Sequence, residues 1–148
     1  MMINYIPFDL AVEKHDEIIA KSGGKHGFID EAKLKSVLGL IENDSFYPNF
    51  VDKLTHLMFA VNKNHAFVDG NKRSSIAIAA YFLEINFYDQ LTIDLFIKES
   101  ENLALLVAQN FMGKDLLKKV LRDIIFDNEL SESTQFGYAS IALAKSAK

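Results

Sequence analysis

Apolar residues recur at intervals of three and four along most of this chain, and little in the sequence interrupts them. Val51, Leu54, Met58 and Val61 form one such series, and Ile76, Ala80 and Leu83 form another, at the spacing that places one buried stripe along an α-helix. With two prolines and seven glycines in 148 residues, few positions forbid helix. The pattern predicts helices over 8–22, 30–43, 49–65, 71–86, 92–110 and 114–127, with no repeat or low-complexity linker between them. A hydrophobic content of 49% is enough for one domain with a sizeable core.

Several function classes are excluded by what the chain lacks. No cysteine is present, which rules out disulfides and thiolate metal sites and permits a reducing compartment. A net charge of −4 argues against broad, non-specific binding to nucleic acid. No apolar run approaches the roughly 18 residues a membrane span requires, and polar residues follow soon after Met1. The expectation is a cytoplasmic protein without a membrane partner.

Chemistry concentrates in nine residues, His65-Ala66-Phe67-Val68-Asp69-Gly70-Asn71-Lys72-Arg73, placed just before the helix expected from residue 71. The first amides of a helix have no internal acceptor and carry the positive end of its dipole, so an anion is stabilised there by about 0.3–1 kcal/mol. Gly70 lets the backbone approach closely. Lys72 and Arg73 then fall in the first turn, where cations oppose the dipole unless an external anion compensates them; such local conflict points to function. Because His65 continues the series Val51, Leu54, Met58, Val61, its ring is expected to point inward, towards whatever occupies the loop. A histidine can accept a hydroxyl proton at neutral pH, and Asp69 is the hard oxygen ligand that Mg²⁺ uses together with substrate phosphates. Base, metal carboxylate, amides and cations are the parts phosphoryl-type transfer needs.

His65, Phe67, Asp69, Gly70, Asn71 and Arg73 match the form His-x-Phe-x-(Asp/Glu/Asn)-(Gly/Ala)-Asn-x-Arg, and on that motif the chain resembles the Fic/Doc family. The likeness covers roughly residues 5–126, with a His15-Asp16 pair and a Gly23-Gly24 turn followed by Gly27, and is closest to the death-on-curing (Doc) branch. It implies an all-α fold, a helical bundle with the active-site loop between two central helices and a short flap, that binds ATP and modifies a hydroxyl on another protein. His65 would be the base and Asp69 the Mg²⁺ ligand. Gly70, Asn71, Lys72 and Arg73 would hold phosphates, and Phe67 would anchor the loop in the core. Gly23, Gly24, Lys25, His26 and Gly27 would form the flap, which docks an extended segment of the target by strand-type hydrogen bonds.

Two departures bear on the reaction. AMP-transferring members carry Gly where this chain has Lys72, and a second Arg, which grips the far phosphate, where it has Ile76. Both departures are the Doc pattern, in which ATP lies the other way round and its γ-phosphate is transferred, with a translation elongation factor as the expected target. No Ser or Thr has a Glu four residues later, so the family's inhibitory motif is missing and restraint would come from a separate antitoxin. The alternatives are AMP transfer, a degenerate Fic fold that only binds partners, and a metal-dependent hydrolase, which is the weakest because no adjacent third ligand completes a zinc set.

Other features carry milder expectations. His15 is read as a half-buried structural contact. His56 lies nine residues before His65, about 180° around a continuous helix, and so outside the site. Lys114, Lys118, Lys119 and Arg122 read as a solvated basic face. A domain over 1–128 is followed by an extension, 129–148, whose Phe136, Ser140, Leu143 and Ala147 suggest a weak amphipathic helix. Such a helix would simply pack as a terminal element, or else cover the nucleotide groove or form a homodimer.

Overall fold

A computed structural model describes residues 2–147. Among them are seven α-helices: α1 (Phe8–Ser22), α2 (Glu31–Leu40), α3 (Phe50–Lys63), α4 (Asn71–Ile85), α5 (Gln90–Ala108), α6 (Lys114–Arg122) and α7 (Glu132–Ser146). A π-helical turn, Asp123–Asp127, extends α6. Each expected helix is present and the class is all-α. The differences lie at the ends, where side-chain caps outrank periodicity. Asp89 accepts from the Thr92 amide at 2.9 Å and starts α5 at Gln90 rather than 92. Asn49 accepts from the Asp52 amide at 3.0 Å and starts α3. Asn110 and Asn128 adopt left-handed conformations that stop α5 and the π-turn, as asparagine tolerates.

Helix α3 forms the centre. Its Leu54, Leu57, Met58 and Val61 are buried against Ile78, Ala79, Phe82 and Leu83 of α4, Leu103, Ala104 and Val107 of α5, and Leu117, Val120 and Leu121 of α6. Each of these side chains larger than alanine contributes about 1.5–3 kcal/mol relative to exposure. Helix α1 lies on α4 and α2 on α3. A fully buried lysine, Lys53, ties the α2–α3 connection to this centre by donating to the Ile41 carbonyl at 2.7 Å and to Asp44 Oδ1 at 2.8 Å. The α3–α4 pairing matters most for function, because the nine-residue motif joins these two helices.

The tail forms α7, but a different face packs from the one periodicity suggested. Phe136 and Leu143 are 75% and 72% exposed, whereas Thr134 and Ile141 are buried and Tyr138 is half-buried. The rotation is set by the buried Asp123 carboxylate, which accepts from Thr134 Oγ1 at 2.6 Å and the Ser131 amide at 2.9 Å. Burial pushes the Asp123 carboxyl up, but those hydrogen bonds outweigh it and hold the group below the usual range. Leu116 fills the space over Gly137, where a Cβ would come within 2.6 Å of it. Helix α7 is thus seated on α6, and none of its described residues lines the cavities beside the motif.

The expected basic face also divides. Lys118 pairs with Asp52 at 2.5 Å and Lys119 and Arg122 are exposed. Lys114, however, is half-buried beside His56 rather than solvated.

Candidate active site

Helix α3 ends at Lys63, and His65 has φ 52°. His65 therefore does not continue the helix, and the inward orientation inferred from its spacing is wrong: the residue is exposed at the mouth of a cavity lined also by Asp69, Gly70, Asn71, Lys72 and Arg73. The physical reason is that a left-handed residue reverses the chain and breaks the i, i+4 register. His56 stays outside the site, between Tyr47 and Lys114.

What turns inward is Phe67, 1% exposed. Its ring stacks on His15 at 3.7 Å with 3° between planes and on Phe28 at 4.9 Å, and Phe28 stacks on Phe8 at 5.9 Å. This column joins α1, the flap and the loop. His15 is fully buried rather than half-buried; its Nε2–H donates to the Asp69 carbonyl at 2.7 Å, and Nδ1 lies 3.1 Å from Asp16 Oδ1. On the far side of Asp16, His26 Nδ1 lies at 3.3 Å. Burial raises the Asp16 carboxyl, but the hydrogen bonds from His15 and His26 prevail and hold it below its ordinary value.

Asn71, buried at the start of α4, accepts the Phe67 amide at 3.0 Å and donates to the Phe67 carbonyl at 2.9 Å. Its side chain is thus engaged within the loop, and its backbone faces the helix N-terminus. Gly70 has φ 78°, and a Cβ there would meet Ile19 at 3.0 Å. The first bond of α4 runs from the Ser74 amide to the Gly70 carbonyl at 2.8 Å, so the amides of Asn71, Lys72 and Arg73 precede the helical ladder and are open to an anion. Lys72 is exposed, and the half-buried Arg73 reaches the Gly23 carbonyl at 3.4 Å.

The flap lies directly on this loop. Val68 N–H donates to Gly27 O at 3.0 Å, and Ile29 N–H donates to Ala66 O at 2.8 Å, framing an antiparallel bridge between Phe28 and Phe67. Asp69 Oδ2 accepts from the Lys25 amide at 3.2 Å and Oδ1 from the Gly70 amide at 2.8 Å. Only glycine fits at Gly24, because its φ is 119° and a Cβ would stand 2.6 Å from Asp69 Oδ2. The motif and the flap, separate in sequence, form one unit.

A second cavity of about 500 Å³ adjoins the first, whose volume is about 400 Å³, and shares Lys72 and Arg73 with it. Its remaining wall is Ile76 of α4 with Ile97, Ser100, Glu101 and Leu105 of α5. No motif marked these α5 residues; only the packing of α5 on α4 brings them to the site. Among the described residues no group of three or more His, Asp or Glu could hold a metal, and no helix is long and apolar enough to cross a membrane.

The family model for the Fic/DOC family matches residues 5–83, which hold α1 to α3, all but the last two residues of α4, the flap and the motif. The chain belongs to the Fic/DOC family. Within it, the chain is similar to Toxin Doc of Mycolicibacterium smegmatis, with 37% identity over 78 residues, 53% of this chain and 58% of that protein. The chain thus spans little more than half the length of this curated relative. The matched part of the Fic/DOC chain includes every motif and flap residue, while the α5 wall of the second cavity lies beyond the family match.

Proposed function

We propose that this Fic/DOC protein is a Doc-like toxin that transfers the terminal phosphate of ATP to a serine or threonine hydroxyl of another protein. The contrast between the two adjoining cavities carries this reading. The one at His65 offers Lys72, Arg73 and the open amides of α4, a set that suits a phosphate chain. The other shares those two cations at its edge but adds Ile76, Ile97 and Leu105 with Ser100 and Glu101. Apolar walls suit a base, and a carboxylate accepts hydrogen bonds from ribose hydroxyls but repels phosphate. A nucleoside in the second cavity sends its phosphates towards the first, with the terminal phosphate nearest His65 and Asp69. Ile76 stands where AMP-transferring members carry an arginine for the far phosphate, so the same position favours a base here.

In this arrangement the target hydroxyl approaches the exposed His65. His65 takes the hydroxyl proton as the oxygen attacks the γ-phosphorus, the bond to the bridging oxygen breaks, and ADP departs with its negative charge facing Lys72 and Arg73. General-base assistance of this kind contributes about 10²–10⁴-fold. Asp69 is a hard, half-buried oxygen donor at the cavity wall without a dedicated cluster around it, which fits Mg²⁺ sharing its shell with phosphate oxygens. Bound there, the ion would neutralise phosphate charge. The exposed Gly23–Gly27 segment, which leads into the antiparallel bridge at Phe28 and whose Gly27 carbonyl accepts the Val68 amide, is suited to dock an extended target strand. The proposed target is a translation elongation factor in the cytoplasm, with a separate antitoxin chain restraining the enzyme.

The test is label transfer from ATP and Mg²⁺ in a bacterial lysate, followed by mass spectrometry of labelled proteins. Label should reach the target from the γ position. Label from the α position alone would overturn the phosphate-transfer reading in favour of AMP transfer, and growth arrest unchanged by His65→Ala would remove catalysis as the toxic activity.

A further inference from the structure

Two of the bonds that shape the motif loop lead back to one carboxylate on α1. Asp16 Oδ1 lies 3.1 Å from Nδ1 of the buried His15 and 3.3 Å from Nδ1 of the exposed His26 on the flap. A carboxylate only accepts hydrogen bonds, so each imidazole meets it with an N–H, and such charge-assisted bonds are stronger than neutral ones. From His15 the path continues through Nε2–H to the Asp69 carbonyl at 2.7 Å. From His26 it continues along the chain to Lys25, whose amide donates to Asp69 Oδ2 at 3.2 Å. Asp16 thus reaches Asp69 by two routes, one ending at its backbone and one at its carboxylate. Ile19, on the same helix, leaves little slack between them: a Cβ at Gly24 would come within 3.1 Å of it, and a Cβ at Gly70 within 3.0 Å.

We propose that Asp16 is a positioning residue for Asp69: it selects the orientation in which His15 holds the Asp69 carbonyl and, through His26, it seats the flap amide that holds the Asp69 carboxylate. Stacking on Phe67 at 3.7 Å and 3° fixes the plane of the His15 ring, but a half-turn about χ2 preserves that plane and replaces Nε2 with a carbon facing the Asp69 carbonyl. The turned ring also loses Asp16 from Nδ1, so the carboxylate favours the orientation that presents Nε2. On the flap the constraint is different. Lys25 and His26 are both exposed, and no apolar packing of their own holds the Lys25 amide against Asp69; the bond from His26 to Asp16 ties this stretch to α1. A metal-binding carboxylate depends on the groups that orient it, and removing them costs about 10–100-fold in metal affinity or activity. The consequence for catalysis rests on the proposed Mg²⁺ role of Asp69, whereas the consequence for the flap does not.

The experiment follows hydrogen exchange of single amides by NMR in the full-length chain without metal. Asp16→Ala should speed exchange several-fold at Lys25, Val68 and Ile29, whose bonds join flap and loop, and leave the amides of α3 unchanged, because the opening is local. Asp16→Asn keeps an acceptor oxygen and should restore part of the protection. Adding His26→Ala to Asp16→Ala should change Lys25 little further, since both act through one bond. In the transfer assay Asp16→Ala should need about 10–100-fold more Mg²⁺ for half its maximal rate, with a smaller change in the rate at saturation. Unchanged exchange at the flap overturns the proposal, as does equal acceleration throughout α3, which would make Asp16 a general stabiliser. Exchange that responds while the Mg²⁺ requirement stays fixed supports the anchoring of the flap and counts against Asp69 as the metal ligand. If Asp16→Ala does not fold, His26→Ala alone decides: unaltered exchange at Lys25 refutes the link through Asp16.

Discussion

Replacing Asn71 with alanine separates a loop-shaping role from direct phosphate binding. Its side chain receives the Phe67 amide at 3.0 Å and donates to the Phe67 carbonyl at 2.9 Å, and both bonds are buried. The neighbours Ala66 and Val68 carry the bonds to the flap, so the Phe67 backbone depends on Asn71 for both polar groups. Truncation leaves a buried donor and a buried acceptor without partners, at about 1–3 kcal/mol each. Some water entry from the adjoining cavity reduces the sum, giving a destabilisation of about 2–4 kcal/mol. At about 2–4 °C per kcal/mol for a chain near this size, the melting temperature should fall by roughly 5–15 °C. Asn71→Asp keeps the acceptor and loses the donor, and should recover part of that difference. Urea unfolding with an unchanged m-value, checked by calorimetry, measures both variants. A loss below about 0.5 kcal/mol, the range of an ordinary surface change, would refute the clamp; if activity vanished all the same, the side chain would act on the ligand.

Three further outcomes follow from the same geometry. His65→Ala should leave stability within about 0.5 kcal/mol of the parent, because the residue is exposed, while transfer to the target falls about 10²–10⁴-fold in a labelling assay; a large stability loss would mean the ring is structural. Ile76→Arg puts a cation into the wall of the second cavity, so γ-label transfer should fall and ATP should bind less productively; unchanged γ-transfer kinetics would remove the nucleoside from that cavity. The third concerns acid. His56 sits at about 4 in the folded chain against 6.5 ordinarily, so below 6.5 the unfolded chain takes up the proton first. Its contribution to stability is complete above 6.5 and is lost as pH falls towards 4. Urea midpoints measured across that window should decline for the parent and flatten in His56→Gln, and parallel curves would assign the acid sensitivity to other groups.

Much of the fold was legible in the chain because helices depend on local spacing. The series through α3 and α4 identified two central helices, and the match of His65, Phe67, Asp69, Gly70, Asn71 and Arg73 to a family motif marked the candidate site. Local spacing failed wherever a single residue redirects the chain. His65 satisfies the periodicity of α3 yet lies past its end in a left-handed conformation, so its predicted direction was reversed. In α7, Phe136 and Leu143 have the spacing of a buried stripe, but the hydrogen bonds from Ser131 and Thr134 to Asp123 rotate the helix and bury Ile141 instead. Hydrophobicity cannot report that choice, because both faces carry apolar residues. Lys114 was equally illegible as part of a basic face, since His56 stands 58 positions away.

By itself, then, the sequence determined the helical class, the position of the loop between α3 and α4, and the presence of a histidine, a carboxylate and cations in one short run. These depend on residues near one another along the chain. Tertiary structure alone decided that His15 holds the Asp69 carbonyl, that the flap amide of Lys25 meets the Asp69 carboxylate, and that α5 places Ile97, Glu101 and Leu105 across from Ile76. Those contacts join segments tens of residues apart, and their geometry follows from how helices with several usable faces pack around one core.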